Sequence, residues 1–361
     1  MNYYQKYIKY KQRYLELKDI DINNQIGGGK DNYKIIKEIG IGMMGTVYLV
    51  EDKLNNKYAM KIEKILKKHS KESLEYNLWR EIEFSNTIHK KYPKHFMKIY
   101  DNWIDEKCNH IQNWEKQGLK LELFDKSTQK FYQKLFDSPY CSIKIYSLID
   151  LTLKDIIGKI SNKEYYDIFI QCLYIMYLCN KSGYLHGDWK MDNIGIVKTT
   201  DEYINIFDKK IKTHGYLVVL LDYGGVIHKK YILSSFEKKI FQNKKTDLFF
   251  MFDRYRYNMI FNFKEFENKY NTDTFNTITI NGEIMKEIQK FLPKFNKNND
   301  ILSQYIYKII YYNDFENHLV GKNINPIKPK LLLPQETILF IIKNIYNIKK
   351  CILFLIDHNY S

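Results

Sequence analysis

The stretch His186-Gly187-Asp188-Trp189-Lys190-Met191-Asp192-Asn193 decides how this 361-residue chain is read. It sets an aspartate, a lysine two residues on and an asparagine five residues on in one short segment. A carboxylate can orient an attacking hydroxyl, an ammonium can steady a transferring phosphate, and an amide oxygen can help hold a metal. Phosphoryl transfer from ATP needs such a set. An apolar run with helical spacing, Tyr165 to Leu178, precedes the segment. A strand-like run, Tyr216 to Leu221, follows and ends in Asp222-Tyr223-Gly224, where a metal-binding aspartate would sit. Taken alone, the eight residues could also form a fortuitous loop.

Two more pieces lie upstream. Gly40-Ile41-Gly42-Met43-Met44-Gly45-Thr46-Val47 is a G-x-G-x-x-G-x-V pattern. Its glycines would let a backbone turn close over phosphates without side-chain obstruction. By itself the pattern also fits a plain hairpin turn. A dinucleotide-binding reading needs a strand before it and a helix after it. Here Tyr33 to Ile39 and Thr46 to Glu51 both read as strands, which favours a hairpin over a nucleotide. Tyr58-Ala59-Met60-Lys61-Ile62 is an apolar strand with one lysine, which could also be an outward surface residue. Helical spacing over Leu74 to Ile88 predicts a helix carrying a glutamate to pair with Lys61. Glu81 is preferred, following Trp79-Arg80; Glu83 faces a different side.

In this order, the glycine loop, strand lysine, helix glutamate, H-x-D-x-K-x-x-N and D-x-G resemble the eukaryotic protein-kinase family, over roughly residues 33 to 255. The HGD and DYG variants are most similar to the casein kinase one and vaccinia-related kinase branch. The resemblance implies an α+β, two-lobed fold that uses ATP and Mg2+ to phosphorylate a Ser or Thr hydroxyl of a protein. A small antiparallel-sheet lobe would span about 31–148, and a larger, mostly helical lobe about 149–361. It further implies that Gly40, Gly42, Gly45 and Val47 cover the nucleotide, and that Lys61 holds the α/β-phosphates while pairing with Glu81. Asp188 would be the catalytic base, Lys190 would contact the γ-phosphate, and Asn193 and Asp222 would hold magnesium. Asp247, in Thr246-Asp247-Leu248-Phe249-Phe250, matches the aspartate that braces the catalytic loop from beneath. The run Ser142 to Ile157 is similar to the hinge strand and the helix after it. That would put Tyr146 at the gatekeeper position and let Ser147 and Ile149 offer backbone groups to adenine.

The departures bear on mechanism. Gly187 stands where the family has an arginine that receives a phosphorylated activation loop, so that switch is expected to be missing. Tyr223 replaces phenylalanine, and Ser85 stands where a large apolar residue usually packs. No A-P-E follows Gly224, and the interval from Asp222 to Asp247 is short for a full substrate-docking segment. H-G-D-x-x-x-x-N also occurs in small-molecule phosphotransferases that share the fold core. Lys190 favours a protein kinase; the missing A-P-E favours the small-molecule class. A pseudokinase scaffold is a further alternative, opposed by intact Lys61, Asp188, Asn193 and Asp222.

Composition frames these readings. With 45% hydrophobic residues, 32 Tyr and 21 Phe, the chain can bury a sizeable core. Its net charge is +15, but the lysines are scattered, so specific nucleic-acid binding is not expected. Such a field would favour an acidic protein substrate. Cys108, Cys141, Cys172, Cys179 and Cys351 form no C-x-x-C pair and read as reduced thiols in a cytosol-like compartment. No signal peptide is visible, so a cytoplasmic location is expected. The apolar stretch Ile338 to Ile356 is broken by Lys343, Asn344, Asn347, Lys349 and Lys350 and reads as one amphipathic helix, not a membrane span. Residues 1 to 30 form a basic, tyrosine-rich leader ending in Gly27-Gly28-Gly29. It is similar to leaders on some giant DNA virus proteins, which would place the chain in host cytoplasm or virion. Residues 104 to 140 read as an exposed insertion, and 262 to 300 carry no recognisable motif.

Overall fold

The computed structural model describes residues 32–41, 45–108, 126–242, 247, 261–262, 330–331, 333–344 and 346–359. The leader, the middle of the 104–140 insertion, Gly42 and nearly all of 262–300 lie outside them. The described residues form an α+β protein whose largest sheet is antiparallel and five-stranded. They fall into two compact units: residues up to Asn86 with Met97–Leu148, and Thr87–Phe96 with Ile149 onward.

Period-two alternation builds the first unit. Strands β1 (Tyr33–Ile41), β2 (Gly45–Asp52) and β3 (Lys57–Ile65) run as a meander, followed by helix α1 (Asn77–Lys91) and strand β4 (Ile99–Asp105). Helix α2 (Lys126–Phe136) leads into β5 (Tyr140–Ser147), which inserts between β3 and β4 to give the order β1-β2-β3-β5-β4. Along β3, Tyr58, Met60 and Ile62 point to one face and pack with Ile143 and Ile145 of β5. Lys61 and Glu63 point to the other face. Such alternation lets one sheet carry an apolar core on one side and a charged cluster on the other.

Two expectations need correction here. The 104–140 insertion is not simply exposed. Its described ends are tied down: Cys108 and Leu135 are buried, and Ser138 Oγ donates to the Ile65 carbonyl at 2.6 Å. Lys64 Nζ donates to the carbonyls of Ser138 and Cys108, at 2.5 and 3.3 Å. The cysteines are also not all reduced. Cys108 and Cys141 form a disulfide, their Cα atoms 5.6 Å apart. The cause is register: Asp105 faces Cys141, and the chain beyond β4 stays alongside through the Cys108 N–H to Pro139 carbonyl bond of 2.8 Å. Sequence separation hides this neighbourhood. Cys172, Cys179 and Cys351 are free and buried, and burial pushes their thiols up.

The second unit is organised around a long helix. After β6 (Leu151–Thr152) and the short α3 (Leu153–Ile156), α4 runs from Asn162 to Lys181. Ser161 and Glu164 start it with a reciprocal capping box. Ile168, Phe169, Ile175 and Met176 are fully buried on it. Strands β7 (Tyr184–Leu185), β8 (Ile194–Lys198), β9 (Tyr203–Ile206), β10 (Lys209–Lys212), β11 (Tyr216–Leu220) and β12 (Ile227–His228) follow, in small antiparallel pairings such as β11-β8-β6. Gln171 stitches α4 to β11: its amide donates to the Tyr216 carbonyl at 3.2 Å and accepts the Val218 N–H at 3.1 Å. Helix α5 (Ser235–Gln242) follows, then the pair β13 (Phe261–Asn262) and β14 (Lys330–Leu331).

The run Ile338 to Ile356 is two helices rather than one: α6 (Gln335–Lys343) and α7 (Ile348–Asn359). The break has a local cause. Asn344 turns its own amide back to the Phe340 carbonyl at 2.8 Å, and Asn347 Oδ1 accepts the Lys350 N–H at 3.1 Å, starting the next helix. The two helices close on each other through stacked Phe340 and Phe354, 3.7 Å between ring centroids. Tyr166 of α4 donates to the Leu355 carbonyl at 3.3 Å. Among the described residues no helix is long and apolar enough to cross a membrane.

Candidate functional site

The loop 186–193 lies between β7 and β8 and is fixed from several sides. His186 is buried; its Nδ1 accepts the Asp188 N–H at 3.3 Å and its Nε2 faces the Leu221 carbonyl at 3.0 Å. This pair of bonds assigns the Nε2–H tautomer. Asp247 grips the same turn, its Oδ2 accepting the His186 N–H at 3.0 Å and its Oδ1 the Gly187 N–H at 2.9 Å. Asn180 of α4 steadies Asp247 at 2.7 Å. Burial pushes the Asp247 carboxyl up, while the Gly187 and His186 N–H groups and Asn180 pull it back. Gly187 sits at φ +73°, in the left-handed region where an arginine would be strained.

Within this frame the three chemical groups converge. Asn193 spends its amide hydrogens on Asp188: Nδ2 donates to the backbone carbonyl at 2.9 Å and to Oδ2 at 2.7 Å. Lys190 Nζ lies 3.2 Å from the same Oδ2. The Asn193 amide oxygen then presents lone pairs rather than hydrogens, as a hard cation requires. The Asn193 backbone carbonyl accepts the Leu221 N–H at 2.9 Å, which sets Asp222 beside it in the chain. Asp222 has φ 51° and ψ 82° and accepts the Gly224 N–H at 3.5 Å. One amide oxygen and one carboxylate with neighbouring backbone suit Mg2+, which binds few protein ligands and keeps waters. No group of three or more His, Cys, Asp or Glu that could hold a metal occurs among the described residues. The buried Tyr223 hydroxyl donates to the Leu220 carbonyl at 3.0 Å and is thereby satisfied.

In the first unit, register lines up Gly40, Val47, Lys61 and Lys144 across four strands. Residues directly opposite in antiparallel pairs share a face, so Val47 and Lys61 are side by side. At Gly45 a Cβ would stand 2.5 Å from the Ile62 carbonyl oxygen. Close strand approach therefore requires glycine there, whatever the loop covers. Ser147 ends β5, and its N–H donates to the Lys98 carbonyl at 3.1 Å. In the second unit, Ile149 packs beside Gly195, where a Cβ would meet Ile149 Cγ2 at 2.9 Å. Ser85, the small residue on α1, is buried; it donates to the Met97 carbonyl at 3.2 Å and accepts the Ile99 N–H at 3.0 Å.

The pairing expected for Lys61 takes a different form. Lys61 lies 2.8 Å from Glu63 Oε1 on its own strand. Glu81 is held instead by Lys144 and by the Tyr146 hydroxyl, the latter at 2.5 Å. Lys144 also reaches Glu63 Oε2 at 2.5 Å. Lys144 is fully buried, whereas Lys61 keeps a small exposure, and the more deeply buried ammonium requires counter-charge more strongly. Burial pushes Lys144 down, but Glu63 and Glu81 outweigh it and hold it above the usual lysine value. Burial likewise pushes Glu63 up, and Lys144 and Lys61 outweigh it and hold it below the usual carboxylate value. Sequence reasoning missed Lys144 and Glu63. The signals were a lysine between Ile143 and Ile145 in a buried strand, and a glutamate two residues from Lys61, on the same face.

No protein-family model matches the chain, and no curated protein matches it significantly.

Proposed function

We propose that the chain is an ATP-dependent serine/threonine protein kinase with a two-lobed, kinase-like fold. The observation that carries this reading is the loop 186–193, in which Lys190 and Asn193 converge on Asp188 while Asp247 holds the turn. Asp188 accepts the proton of the attacking hydroxyl; the Asn193 amide fixes its carboxylate, and Lys190 balances charge on the transferring group. Asn193 and Asp222 would hold Mg2+, which when bound supplies neutralising charge to the phosphates. Gly40, Gly42, Gly45, Val47 and Lys61 are the candidate nucleotide contacts, with Ser147 and Ile149 for adenine. Ser147 would offer adenine its carbonyl, since its N–H is already donated to Lys98. Gly187 supports activity without a phosphorylated activation loop.

The test incubates the purified chain with labelled ATP, Mg2+ and a panel of acidic and basic proteins. Label should pass to Ser or Thr of a protein, acidic ones foremost, and Asp188→Asn should abolish transfer. The missing A-P-E after Gly224 supports a second reading. Label passing only to a sugar, amino alcohol or nucleoside would establish a small-molecule phosphotransferase. A wild-type chain whose melting temperature ignores millimolar Mg-ATP would point to a scaffold.

A further inference from the structure

The cluster on the charged face of the five-stranded sheet divides its work unevenly. Both carboxylate oxygens of Glu81 are engaged, Oε2 by Lys144 and Oε1 by Tyr146. Glu63 bridges two cations, with Oε1 to Lys61 at 2.8 Å and Oε2 to Lys144 at 2.5 Å. Lys61 and Glu63 are two apart on one strand, so they share a face through strand geometry alone. Lys144 lies opposite Lys61 in register and would be an uncompensated buried charge without the two glutamates.

We propose that Glu63 is the positioning residue that orients Lys61, and that Lys144 positions Glu63 and Glu81 together. The inference rests on the reading of Lys61 as a phosphate ligand for its catalytic meaning, although the pairing stands apart from it. It alters how the site would be regulated. The Lys61–Glu63 pair lies within one strand, so a movement of α1 that displaces Glu81 would leave that contact in place. Lys144 would join the sheet to α1 by holding a carboxylate from each.

The pairing is tested on the full chain without nucleotide. Trace acylation, read lysine by lysine by mass spectrometry from pH 7 to 11, reports the free-amine fraction of Lys61. Removing its carboxylate partner lowers a lysine's pKa, and one unit is tenfold in free amine. Glu63→Gln should shift the Lys61 profile down by about one pH unit and raise labelling at pH 8 about tenfold. Glu81→Gln should leave Lys61 labelling within about twofold. If Glu63→Gln does not fold, Glu63→Asp keeps the charge but withdraws the carboxylate, and Lys61 labelling should rise about threefold. Lys61 that responds to Glu81→Gln and ignores both Glu63 variants would overturn the proposal. Melting with Mg-ATP is measured on the same samples; no shift there, with labelling as expected, removes the nucleotide reading and leaves the pairing supported.

Discussion

Lys190 carries its ammonium 3.2 Å from the Asp188 carboxylate while staying partly open to solvent. Under the proposed kinase function, that would place it to help a charge that grows during transfer. Losing one such preorganised group costs about 3–4 kcal/mol, roughly a hundredfold to a thousandfold in rate. Lys190→Ala should therefore lower kcat on protein substrates by about two to three orders of magnitude, with ATP affinity little changed. Retention of near wild-type kcat would favour the small-molecule class. His95 supplies a prediction about stability. Burial, with Lys94 adding to it, lowers its pKa to about 4, against the pull of a hydrogen bond to the Val218 backbone. The folded value lies below the ordinary one of about 6.5, so the folded state binds fewer protons than the unfolded chain. The stability linked to neutral His95 is fully present above pH 6.5 and is lost as pH falls through 4. Denaturant melts of wild type and His95→Gln should converge over that window, the wild type losing up to about 3 kcal/mol more. Parallel pH profiles would show that His95 does not titrate as its burial requires.

Strand β5 shows what an element adds beyond its residues. Its register brings Lys144 opposite Lys61 and puts Cys141 beside the chain that carries Cys108. Lys144→Met removes the ammonium that both Glu63 and Glu81 face, leaving the buried Glu81 without its counter-charge and Glu63 with Lys61 alone. Breaking a buried pair in this way costs about 3–5 kcal/mol. The double variant Lys144→Met/Glu81→Gln should recover part of that loss in urea melts, because one orphaned charge is gone. A single-variant loss below about 1 kcal/mol would mean that the cluster is already well solvated. These cross-strand facts also mark the limit of what the sequence could tell. Strands β1, β2 and β3, helix α4 and strand β11 were legible from apolar periodicity, and the loop residues Asp188, Lys190 and Asn193 from their local spacing. Asp247 was legible only through family resemblance, and the structure does bring its carboxylate to the His186 and Gly187 N–H groups. Glu81 was found, but given the wrong partner, because the position of Lys144 depends on β5 entering between β3 and β4. The disulfide was missed for the same reason. The break between α6 and α7 was missed because Asn344 and Asn347 read as polar positions within one helix, whereas their side-chain bonds end one helix and start the next.

The whole chain bears 57 Lys and Arg against 42 Asp and Glu, a net charge of +15. Each charge acts weakly through water, but under the proposed function the sum would make a positive field that draws an acidic substrate before any specific contact forms. Such steering raises encounter rates by about 10 to 1,000-fold and falls steeply with ionic strength. The Debye length shrinks from about 10 Å at 0.1 M salt to about 3 Å at 1 M, so distant lysines cease to contribute first. Contacts between Asp188 and a bound hydroxyl are local and should be insensitive to salt. The two contributions can therefore be separated by kinetics. For an acidic protein substrate, kcat/KM should fall about tenfold or more between 0.05 and 0.5 M salt, with the change in KM and not in kcat. A short neutral peptide carrying the same phosphorylated residue should lose less than about twofold over that range. Equal salt dependence for both substrates would show that the basic surface is only a solvated exterior, and that recognition rests on contacts close to the accepting hydroxyl.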